Sequence, residues 1–228
     1  MKMEKMKVTD RLLAATAEIW DGYYTHPFVE GLRDGTLDKE KFRYYITQDY
    51  LYLIDYARVF AIGAAKAPDI PTMTMFAHEC VSILDNEMDT HNGYMGVLQI
   101  RQEELDAMPM AIENASYTAY MLRVAYQEDA GPICASILAC AYSYEVLAKR
   151  MKADRPECLD DPFYGDWIRG YASEEYAEFN KGLMEMTNRL TAGISEEAYE
   201  HLERIFVDCS RFETGFWDMA WNYGGTTK

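Results

Sequence analysis

The chain has 228 residues, 49% hydrophobic and 26% charged, with a formal net charge of −16. That length supports one large domain with a sizeable core, and that apolar content excludes a disordered chain. No Lys/Arg cluster interrupts the negative charge, so neither nucleic acid nor anionic membrane is expected as a partner.

The apolar runs are broken by charge short of the ~20 residues a membrane span needs. The start, MKMEKMKVTD, has basic residues without an apolar stretch behind them, so no signal peptide is expected and a cytoplasmic location is. Cys80, Cys134, Cys140, Cys158 and Cys209 include no CxxC pair. Their odd number and irregular spacing read as reduced thiols rather than a disulfide framework or zinc site.

Glycine and proline gather between long periodic segments, which predicts an all-α, single-domain bundle of seven or eight helices spanning 1–228. Thr9-Asp10 is expected to cap a first helix running to about Gly22. His26-Pro27-Phe28 opens a short turn that stops at Gly35. Asp38, followed by Lys39-Glu40-Lys41, caps a long helix to about Lys66. Pro68 and Pro71 bracket a loop, and one helix is expected from about Thr72 to Ile100. Asn114-Ala115-Ser116 precedes the next, which ends near Glu128-Asp129. Ala130-Gly131-Pro132 starts the following helix with proline in the first turn it prefers. Pro156 and Pro162 frame a loop. Helices then run from about Phe163 to Leu190 and from Ser195 to Tyr223.

Three of these helices interrupt an apolar stripe with a reactive side chain. The stripes are Phe42, Tyr45, Asp49, Tyr52, Tyr56; then Ile133, Ile137, Cys140, Tyr144, Leu147; then Phe206, Cys209, Glu213, Phe216, Ala220. A buried ionisable group without partners costs several kcal/mol, so two carboxylates and a thiol so placed point to a shared pocket. Tyr52 and Tyr144 lie one turn from Asp49 and Cys140, within reach of them. A thiol needs a base or donor network to become a nucleophile, and most free cysteines are inert core residues.

Di-iron bundles use Glu-x-x-His units. None of His26, His78, His91 or His201 has a Glu three residues before it. Glu87 with His91, and Glu197 with His201, have only the four-residue spacing common on solvated faces. His26 or His91 could in principle ligate haem, but nothing singles out either. No metal and no organic cofactor is expected.

Six segments in order resemble the TenA (thiaminase II) family. They are HPFVEGLRDGTLDKEKFRYYITQDYLYL (26–53), Glu87-Met88-Asp89-Thr90-His91, NASYTAYM (114–121), Cys140 to Tyr144, Trp167 to Ser173, and Phe212 to Ala220. The resemblance implies a haem-oxygenase-like all-α fold without haem, usually a homotetramer. It implies hydrolysis of an aminopyrimidine, either thiamine or 4-amino-5-aminomethyl-2-methylpyrimidine, to the hydroxymethylpyrimidine that thiamine synthesis reuses. Carried over by position, Cys140 is the nucleophile and Glu213 the acid/base. Asp49 holds the exocyclic amine and a ring nitrogen. Tyr52, Tyr144 and Tyr171 complete the polar lining, and Tyr117 and Phe216 sandwich the ring.

Ala139 stands where the family commonly has proline, and Tyr142 where tryptophan is common. Together with Glu145-Val146-Leu147 they are expected to shape the pocket wall and hence substrate preference. Two other classes compete with the hydrolase. One is a catalytically silent pyrimidine- or thiamine-binding protein, against which intact Cys140 and Glu213 speak. The other is an oxidase on the same fold, which would require a cofactor or metal.

Overall fold

A computed structural model describes residues 6–87, 94 and 96–224. Among them ten α-helices have both ends described, and there is no strand: α1 (Val8–Tyr24), α2 (Pro27–Asp34), α3 (Lys39–Lys66), α4 (Ile70–Ser82), α5 (Gln102–Ala107), α6 (Ile112–Gln127), α7 (Ala130–Asp154), α8 (Gly165–Tyr171), α9 (Glu174–Leu190) and α10 (Glu196–Asn222). A π-helical turn, Ile83–Glu87, follows α4, and a 3₁₀ turn, Pro156–Asp160, follows α7.

α7 is the axis of the bundle. Ala135, Ser136, Ala139, Ala141, Ser143 and Ala148 are all buried, and such small side chains let neighbouring helices approach closely. It is long and apolar enough to cross a membrane, but 83% of its most apolar window is buried inside the fold. α10, α9 and α6 pack on it, while α3 packs on α6 and carries α4 on its other flank. One continuous hydrophobic core results, running from Leu12 to Ala220.

Several helix starts follow the local chemistry. The Asp38 carboxylate accepts the Glu40 N–H at 2.8 Å, and the Ser195 hydroxyl accepts the Ala198 N–H at 3.2 Å. Gly35 closes α2 with φ 69°, a left-handed conformation that glycine adopts without strain.

Other boundaries differ from the expectation. Thr9 does not cap α1: it lies inside the helix, where Asn188 of α9 accepts its N–H at 3.1 Å and donates to its hydroxyl at 2.8 Å. The orphan donor of the first turn is thus satisfied from a neighbouring helix. Pro71 lies in the first turn of α4 rather than in a loop, and Asp69 caps that helix through the Thr72 N–H at 2.8 Å. Asn114 is a buried residue within α6, donating to the Gln48 backbone oxygen at 2.7 Å. The long segment expected from Thr72 changes to π geometry at Ile83, and its Gly93 lies outside the described residues. The expected Phe163–Leu190 helix divides at Ser173, whose hydroxyl accepts the Tyr176 N–H at 3.1 Å and starts α9 afresh.

Candidate active site

The three striped helices meet. α3 brings Asp49 and Tyr52, α7 brings Cys140 and Tyr144, and α10 brings Glu213. Asp49, Tyr52, Cys140 and Tyr144 line one cleft, joined there by Tyr171 at the end of α8. The enclosed cavity measures about 30 Å³, room for roughly one water, so a six-membered ring enters only when side chains turn aside. Tyr171 and Tyr176, half-buried on either side of the α8–α9 break, pack edge-on against each other at 5.1 Å over this part of the cleft.

Glu213 is only 2% exposed. Burial first, and then the charge of Asp49, push its carboxyl up to about 7. Donors from Cys140, Tyr117 and Tyr144 act the other way, with the Tyr144 hydroxyl 3.4 Å from Glu213 Oε2. Behind it, the Trp167 indole N–H donates to the Tyr45 hydroxyl at 3.4 Å, and that hydroxyl to Tyr144 at 3.5 Å. This relay of long bonds polarises toward the carboxylate.

Cys140 keeps some exposure to the cleft, yet protein atoms surround its thiol densely. Burial and the neighbouring Glu213 charge push the thiol well above its ordinary value, while a hydrogen bond with Tyr52 favours the thiolate. The Tyr52 hydroxyl also lies 3.4 Å from the Met121 sulfur. The thiol thus holds its proton firmly while the neighbouring carboxyl sits at about 7, and the hydrogen bond between them makes each the other's partner in proton transfer.

Tyr117 and Phe216 do not line the cleft as it stands. Tyr117 stacks on Phe212 at 5.5 Å and leans on Tyr52 at 5.3 Å. Its buried hydroxyl lacks a hydrogen bond of normal geometry but lies close enough to Glu213 to favour the carboxylate. Phe216 meets Tyr45 and Tyr52 edge-on at 5.8 and 5.9 Å. Both rings form the layer behind Tyr52.

The residues flanking Cys140 also face elsewhere, contrary to expectation. Ala139 is core, and Tyr142, about 200° further round α7 than Cys140, lines a groove against α1 beside Trp20, 6.0 Å away. Glu145 instead accepts from Lys149 at 2.7 Å and from Asn180 at 2.8 Å, tying α7 to α9. The α1–α7 groove is the roomier cavity, about 300 Å³, but its charged residues Asp21 and Arg150 pair with each other, and the Ser143 hydroxyl on it is engaged with the Cys140 carbonyl at 2.8 Å. Chemistry, not size, singles out the Cys140 cleft.

Reading the sequence alone missed Glu79, Phe60, Ile83, Tyr176 and Phe179, which also line the cleft. Phe60 continues the Asp49–Tyr56 stripe at i+4 and could have been found from it. Among the described residues, no group of three His, Cys, Asp or Glu could hold a metal. His26 caps α2, accepting the Phe28 N–H at 3.2 Å, and His201 pairs with Glu128 at 3.0 Å rather than with Glu197. His91 and most of the Glu87–His91 motif lie outside the described residues.

The fold is an all-helical bundle, and its candidate site pairs a thiol with a desolvated carboxyl. The chain belongs to the TENA/THI-4/PQQC family, whose model matches residues 13–223. It is 43% identical over 212 residues to an aminopyrimidine aminohydrolase of Halalkalibacterium halodurans, covering 91% of this chain and 94% of that one. To an aminopyrimidine aminohydrolase of Helicobacter pylori it is 40% identical, covering 95% and 99%. A TenA homologue of P. horikoshii superimposes with a TM-score of 0.88 at 29% identity, covering 96% and 100%. A Shewanella denitrificans domain described as having a heme oxygenase-like fold superimposes at 0.74, with 96% and 94% covered; at 15% identity it shows the fold alone.

Proposed function

We infer that this chain is an aminopyrimidine aminohydrolase of thiamine salvage, converting 4-amino-5-aminomethyl-2-methylpyrimidine and water to the 5-hydroxymethyl compound and ammonium. The observation that carries the reading is the hydrogen-bonded Cys140–Glu213 pair, whose thiol lines the same cleft as Asp49. Relatives bearing that activity's name at 40–43% identity support the substrate class.

The chemistry follows from the pair. The Cys140 proton passes to Glu213 and from there to a ring nitrogen, draining electron density from the adjacent carbon. The thiolate bonds to that carbon, and the displaced ring electron pair settles on the protonated nitrogen. Electron density returned from the ring expels the amine, leaving an electrophilic exocyclic methylene. Water adds there, its spare proton goes to the released ammonia, and Glu213 retrieves the ring proton as the thiolate leaves. Asp49 accepts hydrogen bonds from the exocyclic amine. Tyr52 steadies the thiolate, and Tyr144 and Tyr171 supply polar lining. Tyr117 and Phe216 brace Tyr52 and Glu213 and flank the ring once the cleft opens.

A homotetramer in the cytoplasm completes this reading. Five free thiols suit a reducing compartment, and an exposed apolar face on α4 suits assembly.

Steady-state hydrolysis of the aminomethyl pyrimidine and of thiamine, by wild type and Cys140→Ala, tests the function. Turnover that prefers the aminomethyl compound and vanishes in the variant is expected. Tight binding without turnover of either compound would make the protein a pyrimidine binder instead.

A further inference from the structure

The residues that line the cleft extend beyond those assigned to the ring. The cleft follows α3 from Asp49 to Phe60, eleven residues or roughly 16 Å of helix. Asp49, Cys140 and Glu213 serve the ring at one end, which leaves the stretch at Tyr56 and Phe60 without a role in the chemistry above. α4 covers that stretch. The Cys80 thiol donates to the Ala57 backbone oxygen at 3.4 Å, and Phe76 meets Phe60 at 6.1 Å, so Glu79 sits at the Tyr56–Phe60 level.

Among the described residues, the charged side chains lining the cleft are the carboxylates of Asp49 and Glu79. The Glu79 side chain is 21% exposed, so a charge beside it is screened less than at the surface. Its Oε1 lies 3.1 Å from Nδ1 of His78, a side chain 76% exposed and free to turn to solvent. Aromatic faces of Tyr56 and Phe60 stand nearby and attract cations by their quadrupoles. Glu79 thus brings a carboxylate and two aromatic neighbours to this part of the cleft lining.

Resting on the hydrolase reading, we propose that Glu79 is the specificity-determining residue for the leaving group, holding the protonated amine on the substrate methylene. The amine departs from CH2–NH3⁺ as ammonia: the C–N electron pair goes to nitrogen, and no further proton is needed. A carboxylate beside that nitrogen keeps it protonated, and so ready to leave. The ammonium donates hydrogen bonds to Glu79. The leaving nitrogen of a thiazolium has no N–H, so Glu79 attracts it through charge alone. Glu79 thereby favours the amine over the thiazole.

The test measures Kd on a Cys140→Ala background, with and without Glu79→Gln, for the aminomethyl pyrimidine and for its 5-methyl analogue, which lacks the leaving nitrogen. Glu79→Gln is expected to weaken the aminomethyl compound about 10- to 100-fold, the worth of a charge-assisted hydrogen bond, and to leave the 5-methyl analogue unchanged. With Cys140 restored, kcat/KM for the aminomethyl substrate falls by a similar factor and for thiamine by less, while Glu79→Asp keeps most of both. Equal weakening of the two ligands would assign Glu79 a structural role and overturn the proposal, as would no weakening of either. Absence of wild-type turnover with the binding difference intact would instead sink the hydrolase reading.

Discussion

Burial raises the Glu213 carboxyl from 4.5 to about 7, and a group tuned that way affects stability as well as rate. Between those values the folded protein holds a proton that the unfolded chain has lost, so this site weakens the fold as pH rises through 4.5 to 7. The cost is fully present above pH 7 and amounts to at most about 3 kcal/mol. Glu213→Gln is therefore expected to be more stable than wild type at pH 8, with the advantage gone near pH 4.5. Urea denaturation at the two pH values checks it; an advantage independent of pH would mean that the carboxylate is not desolvated. The same variant should lose about 10²- to 10⁴-fold in kcat, the usual worth of a positioned acid/base. In wild type, kcat should fall as pH drops below about 7, because a doubly protonated pair has no base for the Cys140 proton. Glu213→Gln should lack that limb. These two roles were legible in the sequence because an ionisable residue inside an apolar stripe has few explanations. Glu79 was not. On its own helix it looks like one more solvated carboxylate, and only the packing of α4 over α3 turns it into the cleft.

That packing depends on one small residue. A Cβ built on Gly63 of α3 would lie 2.6 Å from the Phe76 ring of α4, which is fully buried and cannot swing away. Gly63→Ala gains up to about 1 kcal/mol of helix propensity, yet overpacking a core contact costs about 1–3 kcal/mol. The expected net result is a lower melting temperature and an outward shift of α4 that carries Glu79 and Ile83 with it. KM for the aminomethyl pyrimidine should then rise more than kcat falls. A variant with unchanged KM would show that α4 does not set the width of the cleft. At this scale the long helices α3, α7 and α10 were readable, because their apolar periodicity and the caps at Asp38 and Ser195 agree. The π turn at Ile83 and the α8–α9 break at Ser173 were not. Apolar spacing runs through both points, and the alternative hydrogen bonding that interrupts it is only weakly encoded. Asn114 misled for a related reason: it is a good cap residue by type, but Gln48 gives its amide a buried partner mid-helix.

Over the whole molecule, two features pull assembly in opposite directions. Ile70, Met73, Val81 and Leu84 recur at helical spacing along the outer face of α4 and its following turn, each at least 46% exposed. An aligned apolar face of this kind is what a symmetric self-interface uses, where the same patch meets its copy across a two-fold axis. Yet every copy carries a net charge of −16, so bringing copies together concentrates like charge that only counterions can relieve. Assembly should therefore depend on salt. Light scattering is expected to give four times the 26.3 kDa chain mass at high ionic strength, with dissociation as salt is removed. Val81→Asp places a further carboxylate in the middle of the patch and should lower the mass at every salt concentration. Because α4 and the turn after it supply Glu79 and Ile83 to the cleft, loss of the assembly should raise KM for the aminomethyl pyrimidine as well. A Val81→Asp protein that keeps the wild-type mass would move the interface to another face of the bundle. One that dissociates with KM unchanged would separate assembly from the shape of the cleft.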